Sequence, residues 1–591
     1  MRLLILFLSL LFSVVLSAQN DILAKEYFSK GQFEKAAIAY EGLLASNPNN
    51  SVYFSSLLSC YQELKQFEKA EKIISDRMKR TRQPNLNVEL GYNYQLQGNA
   101  QKAKEFYQKA RDAVEENPNN AGGVAYLFEQ KNLLQEALEI YEMASEKNDR
   151  LNYEYQKGRI YGQLGNLEMM IDSFLEYSYT NRNFTVSIQN QFYLFMLDDA
   201  SDSFSDLLRK SLLVKAQKTQ DIYWNEFLSW FFVQQKQYDR AFAQEKAIYR
   251  RNDEGLSSIL NLANLTVEEE DYILAKEIFD FVLENAQDRE TQIAVKTMLV
   301  EIKIQTSDPK EYPKIKTELE NLLDEFGKNT NTIDLQLLHA HFIGFNLDNP
   351  QEAQQILKGL LNLNINTFGK AKIKMELADM LLYEEKFNQA LIYYSQVEND
   401  VKNHEVAHQA SLKVAKTSYY KGDFPWALKQ LSVLKTSFSQ LIANDALDLY
   451  LLINDTNAND STYTALKKFA KADFLLYKQK DTEALEQFKL ILKEHKGEDI
   501  EPVTLLRVGE ILEKQGYFEE ALKQYSTIIE HFSDGIYIDE ALFFSAEIYN
   551  KHLANPEKAK ELYEKIIFNH QDSIYFIDAR KEFRILRGDN V

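Results

Sequence analysis

The chain is poor in the residues that break helices or cross-link chains: in 591 residues it has one cysteine, nine prolines and twenty glycines. A single cysteine excludes an intramolecular disulfide. Cys60, between Leu57 and Tyr61 in an apolar helical pattern, reads as a small core residue. So few breakers over this length argue against a turn-dense β fold and for an all-α one. Tryptophan is scarce at three, whereas 34 tyrosines and 36 phenylalanines suit aromatics packed between many short helices. Basic charge is in deficit. The 68 Lys and Arg stand against 88 Asp and Glu, a net −20 that disfavours nucleic-acid phosphates and docking on anionic lipid by charge alone. Phosphate-binding loops, nucleophile elbows and dinucleotide fingerprints are also missing from the sequence. No cofactor is expected.

The first segment has its own composition. Met1 and Arg2 precede an apolar run from Leu3 to Leu16, followed by Ser17-Ala18-Gln19. One positive residue, a short apolar stretch and small residues before a polar start predict a secretory signal peptide over 1–18, cut after Ala18. The run is short for a membrane span. No cysteine lies near the cut, so a lipoprotein is not expected. The expected location is outside the cytoplasm, in the periplasm or cell envelope, with no direct membrane insertion after cleavage.

A short segment recurs along the chain. Gly31-Gln32-Phe33-Glu34-Lys35-Ala36 with Tyr40 returns as Lys65-Gln66-Phe67-Glu68-Lys69-Ala70. It returns again around Ala103 with Tyr107, and Ala137 with Tyr141, at spacings of 70−36 = 34, 103−70 = 33 and 137−103 = 34. A small residue lets two helices of a hairpin approach closely, and an aromatic four residues on shares its face. Later markers are Ala241, Ala275, Ala353, Ala390, Ala427, Ala484, Ala521 and Ala559, with spacings such as 427−390 = 37 and 559−521 = 38. This grammar resembles that of tetratricopeptide repeats. The resemblance implies an α-solenoid of stacked antiparallel helix pairs forming a superhelix, here two arrays of slightly different repeat length, with peptides or protein elements held on the inner face. The last units, around Gly516 to Ala521 and Ser533 to Ala541, are similar to repeats of envelope-assembly proteins. The Gln after the cut, and the aromatic segment described next, resemble those of exported tetratricopeptide proteins of Bacteroidetes. The expected organisation is an N-terminal array over 19–180, divergent helical repeats and a junction over 181–335, and a C-terminal array over 336–591. That array would end in a capping helix with Arg580, Lys581, Arg584 and Arg587 facing water.

Candidate chemistry is sparse. His404-Glu405-Val406-Ala407-His408 matches the zinc-protease pattern, in which two histidines one helical turn apart bind metal and the glutamate is the base. A third ligand is not apparent, since Ser411 and Val414 stand where the extended motif needs Gly and His. His339 and His341, two residues apart, would point to different helical faces. Asp455, Asn457, Asn459 and Asp460 faintly resemble a calcium loop, but lack its Gly and its final Glu. The segment Tyr223 to Phe232 holds two of the three tryptophans, and reads as a helix packed on both sides. Its functional alternative is that Tyr223, Trp224 or Trp230 anchors a partner. Together these features predict a non-catalytic protein-binding scaffold of the cell envelope. A chaperone-like binder of secreted or outer-membrane clients is the alternative, and a zinc hydrolase on His404, Glu405 and His408 the remote one.

Overall fold

The computed structural model describes residues 20–198, 203–252, 256–435, 440–456 and 462–588. The predicted signal segment and most of the calcium-like loop lie outside these residues. Within them every regular element is helical. The chain forms two compact units, one ending at Ser258 and the other beginning at Ile259.

Unit 1 begins with a helix over 20–29 paired with Phe33–Ser46. It continues as Ser51–Glu63 with Phe67–Thr81, Leu86–Leu96 with Ala100–Glu116, Ala121–Gln130 with Leu134–Lys147, and Glu154–Gln163 with Leu167–Thr180. The degenerate stretch is a further pair, Thr185–Asp198 with Ser203–Thr219, before Ile222–Gln234 with Tyr238–Tyr249. Unit 2 is also a stack of antiparallel helix pairs. The junction with Pro309 and Pro313 folds as Arg289–Thr306 and Tyr312–Phe326, the prolines sitting near helix starts where a missing N–H costs nothing. The fold is an all-α solenoid.

One backbone rule organises both units. A left-handed residue lies five positions before every marker alanine: Gly31, Lys65, Gly98, Asn132, Lys236, Glu270, Asp348, Glu385, Gly422, Gln479, Gly516 and Ala554. Gly165 adds a further turn, and five residues on stands Met170, which hides that repeat from an alanine search. The next N–H caps the helix just ended, as in Gln66 N to Tyr61 O and Tyr517 N to Leu512 O, both 2.8 Å. Two turns are wider. Asn349 N reaches Ile343 O after a π-helical turn over Phe342–Asn346, and Asn555 N reaches Tyr549 O.

The marker alanines are buried, and each second helix presses there on its partner. Four residues on, Tyr107, Tyr141, Phe174, Tyr394, Tyr525 and Tyr563 are buried as well. In three pairs a glycine of the first helix receives that ring. A Cβ on Gly91 would sit 2.4 Å from Tyr107, on Gly158 2.8 Å from Phe174, and on Gly509 2.3 Å from Tyr525. A buried phenol needs an acceptor. Tyr107 donates to Gln95 and Tyr141 to Glu129, each at 2.8 Å, closing the hairpin on itself. Tyrosines of the first helices instead reach back to the preceding pair: Tyr61 to Glu41 at 2.5 Å, Tyr94 to Glu71 at 2.7 Å and Tyr161 to Glu142 at 2.9 Å. One phenol set fixes the hairpin and the other the stack. Cys60 is buried as expected.

Unit 2 departs from the period once. From Ala427 to Ala484 the step is 484−427 = 57 residues, and the excess is an unpaired helix, Gln440–Asp455, between Glu405–Lys421 with Phe424–Leu434 and Thr464–Tyr477 with Asp481–Glu494. The stack then resumes as Glu501–Lys514 with Phe518–His531 and Ile538–Lys551 with Pro556–Asn569. It ends with Phe576–Arg587, capped by left-handed Gly588.

Candidate functional site

The sequence-predicted candidates separate on inspection. Tyr223 and Trp224 are 4% and 2% exposed. Trp224 stacks on Tyr179 at 5.0 Å, and Arg182 lies 4.1 Å over the Tyr223 ring while pairing with Asp221. Both rings are committed to packing Ile222–Gln234 against Leu167–Thr180 and the turn at Arg182, which corrects the expectation that either offers a free face to a partner. Trp230 is half-buried, edge-on to Phe227, and keeps an accessible part. Glu245 occupies the position that holds an aromatic in other pairs. Its carboxylate accepts from Ser229 at 2.5 Å and Ser258 at 2.6 Å.

The zinc-like motif is not arranged as the pattern requires. His404 lies outside the helix as the N-cap of Glu405–Lys421, its Nδ1 accepting from Val406 N at 3.3 Å and its ring edge-on to Phe368. The two histidines are therefore not both on one helical face. Among the described residues no group of three His, Cys, Asp or Glu side chains could hold a metal. His339 is buried, which pushes its imidazole below the ordinary range. His341 bonds Glu376 at 2.8 Å. Burial disfavours its charge, but the Glu376 bond and charge outweigh this and raise its pKa.

A face that motif searches miss is set by register. Nine and six residues before the left-handed turns, one face of successive first helices carries Glu376 and Asp379, Lys413 and Lys416, then Asp473, then Arg507 and Glu510 (385−6 = 379, 422−6 = 416, 479−6 = 473, 516−6 = 510). In unit 1 the position six before the turn carries Lys25, Ser59, Tyr92, Tyr126, Arg159 and Trp230, so that face is more aromatic and less charged.

In unit 2 this face has two halves. In the first, Asp379 accepts from Lys413 at 2.6 and 2.7 Å, from the Tyr394 hydroxyl, and more weakly from Tyr477 at 3.4 Å. Tyr477 comes from 98 residues further along, where Thr464–Tyr477 returns onto the earlier pairs. Phe474 lies 5.0 Å from Tyr420 and Tyr477 5.5 Å from Phe345. Lys478 pairs with Glu385 at 2.8 Å and lies 4.5 Å over the Phe474 ring. This half is filled by the chain itself.

The second half is a cavity of about 460 Å³, walled on one side by the inserted helix Gln440–Asp455 and on the others by first helices. Arg507 pairs with Glu510 at 2.7 Å and Lys416 with Asp445 at 3.6 Å. Burial disfavours the Arg507 charge, yet Glu510 and Asp473 outweigh it and hold the guanidinium charged. Burial raises the Asp473 carboxyl against the pull of Arg507 and Lys416. Glu540 is raised to about 7, first by burial and then by neighbouring carboxylates including Asp448 and Glu510. Tyr537, Phe544 and Tyr575 add apolar lining.

Comparison with known proteins agrees with the repeat grammar. The tetratricopeptide repeat family model matches residues 84–117 and 155–184, the second match covering the pair whose marker is Met170. No curated protein matches the sequence. Among solved structures, a Naa15/Naa10 complex bound to HypK-THB is similar at 12% identity and a TM-score of 0.28, over 96% of this chain and 92% of that one. The P58(IPK) TPR domain is similar at 13% identity and a TM-score of 0.19, over 68% of this chain and 98% of that one. Both likenesses are weak, and the fold assignment rests on the helix pairs themselves.

Proposed function

We propose that this tetratricopeptide-repeat solenoid is a non-catalytic scaffold of the bacterial cell envelope, binding a partner protein on the face formed by its first helices. The observation that carries the reading is the pair of grooves in unit 2. One is filled by a helix of the same chain, and its neighbour, lined by the same register, has no such occupant among the described residues. A face built to take a protein element in one half is suited to take one in the other. The predicted signal segment at Met1–Ala18 supports export. Trp230 would serve as a contact in unit 1.

A crosslinked pull-down of the tagged mature chain from native envelope, read by mass spectrometry, tests this. One or two stoichiometric envelope proteins are expected, and none at all would overturn it. The intact mass of the secreted chain tests export, with loss of residues 1–18 the expected result. A chaperone-like role has one observation in its favour: Val186 and Leu194, on Thr185–Asp198, are 65% and 61% exposed, with Phe184 also exposed just before that helix. Capture of many unrelated clients, lost on Leu194→Ser, would favour that reading.

A further inference from the structure

We propose that the unit 2 cavity seats a lysine or arginine side chain presented by a basic segment of a partner protein. The inference rests on the scaffold reading above and adds the chemistry of the partner.

Charge balance is the first argument. The lining carries five carboxyl groups, Asp445, Asp448, Asp473, Glu510 and Glu540, against two cations, Lys416 and Arg507, so carboxyls outnumber cations by 5−2 = 3. The two cations are already paired with Asp445 and Glu510. Asp448, Asp473 and Glu540 form no ion pair, and Glu540 Oε2 is buried without a hydrogen-bond partner. Carboxylates left in this state are costly, and an incoming cation relieves several at once.

An independent observation points the same way. Tyr419 lines the cavity with 0% of its surface exposed, and its hydroxyl has no hydrogen-bond partner. The group it faces is the Asp473 carboxyl, with which it interacts weakly and outside hydrogen-bond geometry. A buried phenol without a hydrogen-bond partner is an unused polar group of the cavity lining.

The filled half shows which occupant this face accepts. There the chain supplies two aromatic rings followed by a lysine, Phe474, Tyr477 and Lys478, and the lysine ends against a carboxylate and over rings. The cavity repeats that environment with Asp473 and Glu540 among Tyr537, Phe544 and Tyr575, without the lysine. Rings beside carboxylates favour a cation over a neutral side chain.

The test is a fluorescence-anisotropy titration of labelled hexaarginine against the full mature chain. At a net charge of −20 any polycation is attracted, so the comparison is between variants. The Asp473→Asn/Glu540→Gln pair should weaken binding by on the order of tenfold or more. Asp448→Asn, at an exposed position, should weaken it by about threefold. A control pair on the exposed Glu519 and Glu520, Glu519→Gln/Glu520→Gln, should change it by less than about twofold. Equal weakening by the control pair, or no weakening by the cavity variants, overturns the inference. The pull-down separates it from the scaffold reading. A partner retained equally by wild type and Asp448→Asn overturns only the cavity assignment. Absence of any partner overturns the scaffold reading, and the hexaarginine titration still decides the cavity.

Discussion

Asp379 and Asp473 hold the same register on two first helices of one unit, six residues before a left-handed turn, yet their surroundings are opposite. Asp379 is saturated by Lys413, Tyr394 and Tyr477. Asp473 has only the field of cations committed elsewhere and a phenol that does not quite reach it. The difference shows that register decides where a charge is placed, and occupancy decides whether it is structural or available.

The largest expected effect comes from breaking the saturated side. Asp379→Ala leaves Lys413 and two phenols without their acceptor, and should destabilise unit 2 by about 3 kcal/mol in urea denaturation. Asp473→Asn should cost less than about 0.5 kcal/mol, since it removes an unpaired carboxylate. Equal losses would show the contrast to be illusory. Next is Tyr477→Ala, which empties the filled half at about 2 kcal/mol. It should speed amide exchange in Thr367–Tyr383, while Asp379 stays paired with Lys413 and Tyr394 and no second hexaarginine site appears.

A smaller effect is pH-dependent. Glu540 binds its proton up to about pH 7 in the folded chain, whereas an unfolded glutamate releases it in the ordinary carboxylate range. The folded state therefore holds the extra proton, and stability from this group is full below that range and falls as pH rises to about 7. Glu540→Gln should raise the unit 2 melting temperature more at pH 8 than at pH 5, by roughly 2 °C. A larger gain at pH 5 would contradict the raised carboxyl. The smallest effects lie at the turns. Ala554→Gly should stabilise by about 1 kcal/mol by relieving a left-handed alanine. Glu385→Gly relieves the same strain but loses the Lys478 pair, and should gain roughly half as much.

The fold was legible because close helix approach demands a small residue at a fixed interval, and the marker alanines occupy that interval. Met170 escaped because a larger side chain fits there, although Gly158 and Gly165 in the same pair obey the grammar. The unpaired helix Gln440–Asp455 was invisible to a search for intervals, since it carries neither marker nor turn residue of a pair. The left-handed turns were half-hidden, because Lys65, Glu270, Glu385 and Gln479 stand where glycine would announce them. The charged face needed the turn position as an origin. Without it, Asp473 and Glu510 are two carboxylates among many. Aromatic richness marked Tyr223 to Phe232, but composition could not distinguish a ring that faces solvent from one that stacks on Tyr179.

Stacked helix pairs ordinarily touch only their neighbours, so such chains can form or fray from either end in small steps. The return of Thr464–Tyr477 alters that for part of unit 2. Asn346 meets Gln479 across 133 residues, and Tyr477 meets Asp379 across 98. These links tie a run of otherwise sequential pairs into a closed loop whose ends must meet before either is complete. That stretch should assemble late and all at once, at a rate set by loop closure rather than by helix formation. Once closed, it should resist fraying that begins at the C-terminal helix.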